Sequence, residues 1–261
     1  MTRMVLLLAL FLSTHVLAAP KSELWEYWNT SNESSLQSVS HQGWQRFLDN
    51  YVTAQGEHTL VSYHRVSPQD KNNLKQYVQQ LATLDPKQLS RAEQYAYWVN
   101  LYNAITVDLI LDNYPIKSIT KLGGFFSFGP WQDDVITISG KALTLNDIEH
   151  RILRPIWNEP RTHYAVNCAS LGCPNLQATA FTASNTDKLL EQAAHVFINS
   201  NKGVEITPES VTLSSIYDWF RDDFQSEGGV IEHIRRYRPQ INDYQGTLHY
   251  DYDWSLNQSS D

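Results

Sequence analysis

The stretch SRAEQYAYWVNLYNAITVDLILDNYP, from Ser90 to Pro115, decides the fold because it predicts the strongest helix of the chain. Ser90 and Glu93 form a capping box, which satisfies free backbone N–H groups at a helix start. Tyr114-Pro115 is a stop signal, since the residue before a proline avoids helical geometry. The stretch between them is apolar nearly all round, which is typical of a buried helix. We expect it to be the central helix of the domain.

Other helices and strands are predicted on both sides of this central helix. The pattern Ser67-Pro68-Gln69-Asp70 predicts a helix that runs to about Leu84. Apolar periodicity and cap signals predict further helices at residues 41–52, 148–157, 187–199, 215–224 and 230–237. Strands are predicted at residues 135–140, 162–167, 204–206 and 211–213, the last two as a hairpin. The expected fold class is α+β, with the central apolar helix and several further helices packed on a small, mainly antiparallel sheet.

The domain organisation follows from the absence of any repeat or low-complexity linker in the sequence. We expect a signal peptide at residues 1–18, an N-terminal helical extension at 21–85, an α+β domain at 86–254 and a polar tail at 255–261. The signal peptide is predicted because Arg3 precedes the apolar run Val5 to Leu12 and small residues surround Ala18. We expect cleavage near Ala18, a periplasmic or secreted mature protein, and no transmembrane segment.

Composition argues against several classes of partner. The 261 residues include 20 Lys and Arg against 28 Asp and Glu, a net charge of -8, and no basic run that could neutralise a row of phosphates. The chain also lacks the common nucleotide fingerprints and the His-Glu-x-x-His helix of zinc proteases. We therefore expect no nucleic-acid partner and no cofactor, and a small-molecule, peptide or protein ligand of unknown identity.

Both cysteines of the chain lie in one short segment, from Asn167 to Pro174. In an oxidising compartment the close spacing of Cys168 and Cys173 favours a disulfide, and Gly172 helps the backbone turn between them. A second interpretation makes Cys168 a nucleophile with Cys173 as its neighbour. A metal pair is disfavoured because two thiolates would need two further ligands.

Polar residues on predicted helices and strands are the other candidates for a site. Asn100 and Asn103 lie one turn apart on the central helix, where buried amides either anchor loop backbones or line a site. Glu149 and His150 point about 100° apart on a helix, so we expect His150 to be a surface or cap partner. Alternation on a regular strand places His163 and Cys168 on opposite faces, unless a turn begins at Asn167.

Several separated segments match the pattern of one family. They are residues 97–104 (YWVNLYNA), 145–154 with Ile148-Glu149-His150, 161–168 (RTHYAVNC) with 172–174 (GCP), and Trp219 with Asp223-Phe224. In this order they resemble the domain-of-unknown-function family DUF547 over residues 90–225.

The resemblance implies a fold similar to the papain and transglutaminase-like cysteine hydrolases. In those enzymes a nucleophilic cysteine begins the central helix, and a histidine and a polar orienting residue follow on the sheet. Here the central helix has no cysteine. The resemblance matches His163 to the strand histidine and Asn100 or Asn103 to the central-helix position, and it leaves the nucleophile absent or replaced by Cys168.

The leading hypothesis is an exported protein that binds a peptide-like or other small polar ligand in a cleft between the central helix, the His163 strand and an aromatic loop at residues 123–131. The expected ligand-binding residues are Asn103, Glu149, His150 and Asp223.

Two alternatives stay open. The first is a thiol hydrolase or acyltransferase in which Cys168 attacks and His163 takes the proton, while Asn100 or Asn103 orients the imidazole or stabilises the oxyanion. The second is a metal site at Glu149, His150 and His163.

Overall fold

The computed structural model describes residues 20–124, 128–244 and 246–260. The predicted signal peptide and the residues at 125–127 of the aromatic loop lie outside the described residues. The helices are α1 (Gln42–Tyr51), α2 (Pro68–Ala82), α3 (Arg91–Asn113), a π-helix (Asp147–Leu153), α4 (Arg154–Trp157), α5 (Thr186–Ile198), α6 (Ile216–Trp219) and α7 (Val230–Tyr237). Short 3-10 helices are Glu26–Trp28, Tyr63–Arg65, Pro86–Gln88, Ile119–Lys121, Pro160–Tyr164, Arg221–Glu227 and Pro239–Asp243. The strands are β1 (Val52–Gln55), β2 (His58–Val61), β3 (Ile136–Ile138), β4 (Lys141–Leu143), β5 (Val204–Ile206), β6 (Val211–Ser214) and β7 (Leu248–Asp251).

The predicted central helix is α3. Its cap is the one expected from the sequence, because the Ser90 hydroxyl accepts a hydrogen bond from the backbone N–H of Glu93. The Tyr97 hydroxyl donates to the carbonyl of Leu81 at 2.9 Å and so ties α3 to α2. Side chains of α3 are buried on every face over most of its length, which confirms the prediction of a helix enclosed by the rest of the domain.

The α+β class is confirmed, and the strands are divided among three small sheets. β1 pairs with β2 and β3 with β4 in antiparallel hairpins. The predicted hairpin at 204–213 is β5 and β6, paired from Val204 with Leu213 to Ile206 with Val211. β7 adds to β6 in parallel, which joins the C-terminal part of the chain to this sheet.

The strand predicted at residues 162–167 is wrong, because this segment begins as the 3-10 helix Pro160–Tyr164. Pro160 favours the first position of a helix, and the Glu159 side chain caps that turn by accepting from the N–H of Arg161. Both signals lie just before the segment, and they outweigh its alternating pattern. Arguments from strand faces therefore do not apply to His163.

The helix predicted at residues 148–157 is present but is not α-helical throughout. Residues Asp147–Leu153 form a π-helix, and α4 continues it to Trp157. A π-helix holds more residues per turn than an α-helix, and such turns are frequent at functional sites. The wider turn changes where neighbouring side chains point, which matters for Glu149 and His150.

The two ends of the described chain belong to the folded body. Trp28 packs edge-on against Trp98 of α3, with ring centroids 5.2 Å apart. The residues predicted as a polar tail are also packed, because Leu256 and Asn257 are buried and the Leu256 N–H donates to the carbonyl of Lys117. The hydrogen-bond partner of Leu256 lies in a segment that is distant in the sequence. A second apolar cluster lies between α5, β5, β6 and α7.

Candidate functional site

The candidate site is a cavity of about 500 Å³ between α3, the π-helix, the segment after Pro160–Tyr164, α6 and the C-terminal segment. Its aromatic lining is Tyr102, Phe128, Trp131, Trp219, Phe220, Tyr252 and Trp254. Its polar lining is Gln132, Asn146, Glu149, His150, His163, Cys168 and Cys173. A site with a mainly apolar wall and a few convergent polar groups is the usual form of a small-molecule site.

Residues 167–174, here called the thiol loop, are positioned by hydrogen bonds from α3. The Asn103 side chain donates to the carbonyl of Ala165 at 2.9 Å and accepts from the N–H of Asn167 at 2.8 Å. The Asn167 side chain then crosses the thiol loop and donates to the carbonyl of Pro174 at 2.7 Å. Asn103 therefore fixes the backbone that presents Cys168 rather than lining the cavity itself.

The C-terminal segment holds the thiol loop from the other side. The N–H of Leu171 donates to Ser255 and that of Gly172 to Asp253, both at 2.8 Å. A Cβ at Gly172 would lie 2.7 Å from the backbone nitrogen of Asp253, so only glycine allows this approach. The buried ammonium of Lys202 adds a third clamp, since it donates to the carbonyl of Cys173 at 2.8 Å.

The Cys168 thiol lies at the centre of a small hydrogen-bond network. Its sulfur is 2.7 Å from Cys173 Sγ, 2.9 Å from Tyr252 Oη and 3.2 Å from Ser170 Oγ. Burial alone raises the pKa of Cys168, but the hydrogen bonds of these three neighbours favour the thiolate and hold the pKa below its ordinary value. Cys168 is therefore the better nucleophile of the pair, because burial and the neighbouring Cys168 raise the pKa of Cys173 well above normal.

The backbone at Cys168 is shaped by an unusual residue. Ala169 has φ +58°, a left-handed conformation that costs a non-glycine residue about 1 kcal/mol or more. It is held there by Asn167 Oδ1, which accepts from its N–H at 2.9 Å, and by the N–H of Asn257, which donates to its carbonyl. Such strain is typical of functional turns. Both cysteines are free thiols in this structure, and the disulfide stays a prediction.

His163 is oriented by a partly buried acid that comes from a distant segment. Its Nε2 donates to Asp223 Oδ2 at 2.7 Å. Arg154 binds the same carboxylate with two N–H groups, at 2.6 and 3.0 Å. Burial raises the pKa of Asp223, but His163 and Arg154 outweigh this effect and hold it well below normal. Because the ionised acid accepts from Nε2, Nδ1 of a neutral His163 is left as the proton acceptor.

His163 and Cys168 line the same cavity, and the described chain contains no hydrogen bond between them. His163 instead stacks on Phe220, with centroids 4.5 Å apart and planes 14° from parallel. Catalytic hydrogen bonds are often long before the substrate binds, so this geometry is compatible with proton transfer in a complex.

Glu149 and His150 are both buried and both line the cavity. The expectation that His150 lies at the surface is wrong, because the π-helix and the packing of Phe220 turn it inward. Its Nδ1 accepts from Arg154 Nη1 at 2.8 Å. Burial lowers the pKa of His150 to about 4, so the ring is neutral at physiological pH.

Asn100 is not placed at the cavity. Its amide donates to the carbonyl of Phe181 at 2.8 Å and accepts from the N–H of the same residue at 3.0 Å. These bonds satisfy the buried side chain and tie α3 to the segment before α5. Asn100 does not line the cavity, so the structure does not place it where the predicted catalytic role would require it.

Within the described ranges, no group of three or more His, Cys, Asp or Glu residues is arranged to hold a metal ion. Glu149, His150 and His163 thus do not form the ligand set that the metal hypothesis required. In the same ranges, no helix is both long and apolar enough to cross a membrane.

Several residues that complete the site are not indicated by their sequence patterns. Tyr252 and Ser170 contact the sulfur of Cys168, Arg154 binds the Asp223 carboxylate, and Lys202 donates to the thiol loop. The aromatic run Tyr252-Asp253-Trp254 was the available signal, since clustered aromatics near the end of a chain are costly to leave exposed. Nothing in its spacing indicates which loop it contacts.

A family model described as "Protein of unknown function, DUF547" matches residues 86–198. The match contains α3, Glu149, His150, His163 and the thiol loop. Trp219 and Asp223 lie beyond the matched range, although they line or support the same cavity. No curated protein and no solved structure matches the chain.

Proposed function

We propose, for a chain whose residues 86–198 belong to the DUF547 family, that the cavity binds a small peptide-like ligand and transfers its acyl group through Cys168. The observation that carries this proposal is that a thiol with a lowered pKa and a histidine oriented by Asp223 line one cavity. Thiolate character and an oriented base are the two requirements of nucleophilic cysteine catalysis.

The reaction begins when the proton of Cys168 passes to Nδ1 of His163. The thiolate attacks the carbonyl carbon of an amide or ester, and a thioester forms as the carbon–nitrogen or carbon–oxygen bond breaks. The imidazolium gives its proton to the departing amine or alcohol. Water, or another amine, then attacks the thioester with His163 as the base, and the thiol is regenerated.

Asp223 and Arg154 support this cycle without contacting the ligand. The carboxylate stabilises the imidazolium that forms during attack, as the acid does in a Ser-His-Asp triad. The bidentate contact of Arg154 keeps Asp223 ionised and fixed in position. The relay from cysteine to histidine to a polar orienting residue is similar to that of papain-like enzymes, but here the nucleophile would lie on the thiol loop and not on the central helix.

A second candidate is a binding protein without turnover, favoured by the 2.7 Å separation of the two sulfurs. The N-terminal run from Val5 to Leu12 supports export to an oxidising compartment. There a Cys168–Cys173 disulfide would remove the resting nucleophile and leave the aromatic cavity intact.

The experiment that separates these candidates uses p-nitrophenyl acetate and mass spectrometry on the reduced protein. The proposal expects one acetyl group on Cys168, released with turnover, and no adduct in Cys168→Ala. His163→Gln is expected to slow turnover by about 10²-fold or more, whereas the exposed His195→Gln serves as the matched control. If the His163→Gln variant released the acetyl group from Cys168 as fast as the unsubstituted protein, the proposed catalytic role of His163 would be contradicted.

The resting state needs a separate measurement. Intact mass of the exported protein, alkylated before reduction, counts the free thiols. Two free thiols, with Cys168 alkylating fast at neutral pH, support the hydrolase. A protein that is lighter by two hydrogens and does not react with the alkylating agent supports the second candidate, a binding protein.

A further inference from the structure

Glu149 carries a negative charge into the cavity without a neutralising partner. Its carboxylate is buried and lines the cavity, and none of the described lining residues is a lysine or arginine. The arginines of the same helical segment form ion pairs with other acids. Arg151 pairs with Asp147 at 2.7 Å, and Arg154 pairs with Asp223 at 2.6 Å. The carboxylate of Glu149 is thus free to pair with a ligand.

The nearest basic group does not supply the missing charge. His150 Nδ1 lies 3.8 Å from Glu149, but the buried ring is neutral at physiological pH because its pKa is about 4. The Tyr102 hydroxyl also contacts Glu149, and burial raises the pKa of that phenol well above normal. Neither His150 nor Tyr102 therefore neutralises the charge of the Glu149 carboxylate.

Aromatic rings form another part of the cavity lining. Trp219 and Trp254 stack with centroids 5.7 Å apart and planes 26° from parallel. Tyr252 packs against Trp254 at 4.6 Å, and Trp131 meets it edge-on at 5.7 Å. The faces of tryptophan and tyrosine attract cations, and the attraction grows where water is excluded.

We propose that the ligand of this cavity carries a cationic group, an ammonium or guanidinium, which pairs with Glu149 while its apolar part packs on the Trp219–Trp254 wall. This inference rests on the proposed function and names its substrate class: an amide or ester of a basic, peptide-like acyl or amine component. A buried carboxylate without a cationic partner is costly, so a cation that enters the cavity relieves that cost as well as gaining the ion pair.

The test compares two probes that differ in one charge, Nα-acetyl-arginine amide and Nα-acetyl-citrulline amide. Binding is measured by calorimetry on Cys168→Ala protein, which cannot form the thioester. We expect the arginine probe to bind at least tenfold more tightly, and Glu149→Gln to reduce this preference about tenfold. Glu205→Gln is the matched control, because it is the same substitution at an exposed position of β5.

Two results would overturn the inference. One is equal binding of the two probes, or binding of neither, to protein that still contains Glu149. The other is a charge preference that Glu149→Gln leaves unchanged, with a melting curve that shows the variant is folded. Because the first result needs no substitution at Glu149, the inference stays testable even where Glu149→Gln does not fold.

The outcomes for the two proposals are separable. Acylation of Cys168 by p-nitrophenyl acetate without any charge preference removes the cationic substrate class and keeps the thiol chemistry. A charge preference lost in Glu149→Gln, without acylation of Cys168, keeps the cation site and removes the catalysis.

Discussion

Asp223 Oδ2 lies 2.7 Å from His163 Nε2, although the two residues are 60 positions apart in the sequence. His163 belongs to the matched family segment and Asp223 to the 3-10 helix Arg221–Glu227 beyond it. The contact therefore joins the matched segment to a 3-10 helix that lies beyond it. The buried Arg154 fixes the same carboxylate, so one acid holds both a cation and the candidate base.

Removing the charge of Asp223 tests this arrangement. Asp223→Asn is expected to lower the free energy of unfolding by about 2–3 kcal/mol, because Arg154 is left buried without its anion. Chemical denaturation measures the loss. Asp222→Asn is the matched control, since Asp222 is exposed and adjacent. Equal stability of the two variants would show that the Arg154–Asp223 pair contributes nothing.

Removal of the Tyr252 hydroxyl tests the origin of the low pKa of Cys168. Tyr252→Phe keeps the ring against Trp254 and removes one hydrogen bond to the sulfur. The pKa of Cys168 is expected to rise by about one unit, since a hydrogen bond to a charged group is worth about 1.5 kcal/mol or more. Iodoacetamide alkylation of Cys168, followed from pH 5 to 10, gives the midpoint.

Tyr250→Phe is the control for this substitution, because Tyr250 lies two residues away with an exposed side chain. Its alkylation profile should coincide with that of the unsubstituted protein. A Tyr252→Phe profile with the same midpoint would show that Tyr252 does not stabilise the thiolate.

Asn100 and Asn103 form a matched pair of buried amides one turn apart on α3. Each makes two hydrogen bonds to backbone groups, so replacement by alanine is expected to cost about 2–4 kcal/mol in either case. Only Asn103 holds the thiol loop. Asn103→Ala should therefore also change the alkylation rate of Cys168, whereas Asn100→Ala should leave it unchanged in the folded protein.

The burial of the His41 side chain should make the stability of the fold depend on pH. Burial lowers its pKa to about 4 in the folded chain, from 6.5 in the unfolded one. Between these values the unfolded state binds a proton that the folded state does not, so stability falls as pH falls. The contribution is about 1.4 kcal/mol per pH unit. His150 adds a similar term over the same window.

Denaturation of His41→Phe between pH 4 and pH 6.5 checks this prediction. The slope of unfolding free energy against pH should decrease by about 1.4 kcal/mol per unit relative to the unsubstituted protein. His195→Gln, at an exposed position of α5, provides the comparison. An unchanged slope in His41→Phe would mean that His41 is protonated alike in both states.

Most helices of this fold could be predicted because their signals are local. Ser67 caps α2 and Ser90 caps α3 as their sequence patterns indicate, since a cap depends on residues three positions apart. The segment at 162–167 was mistaken for a strand because Pro160 and Glu159, just outside it, decide its geometry. The π-helix was not predicted, because an extra residue in one turn leaves the apolar spacing almost unchanged.

The site was predicted only in part because its geometry depends on distant contacts. The thiol loop, Glu149 and His163 were singled out from their residue types, and the structure brings them to one cavity. One partner of the Cys168 thiol, Tyr252, is 84 residues away in the sequence, and no local pattern connects the two. The direction of His150 could not be found either, because it depends on the π-helical turn.

The contacts of residues 252–257 with the thiol loop make the low pKa of Cys168 a property of the tertiary structure. The Tyr252 hydroxyl that helps to lower this pKa is 84 residues from the thiol in the sequence. In the unfolded chain this hydrogen bond is absent, so the pKa of Cys168 returns towards that of an ordinary cysteine. The reactivity of this thiol is therefore a marker of the native state.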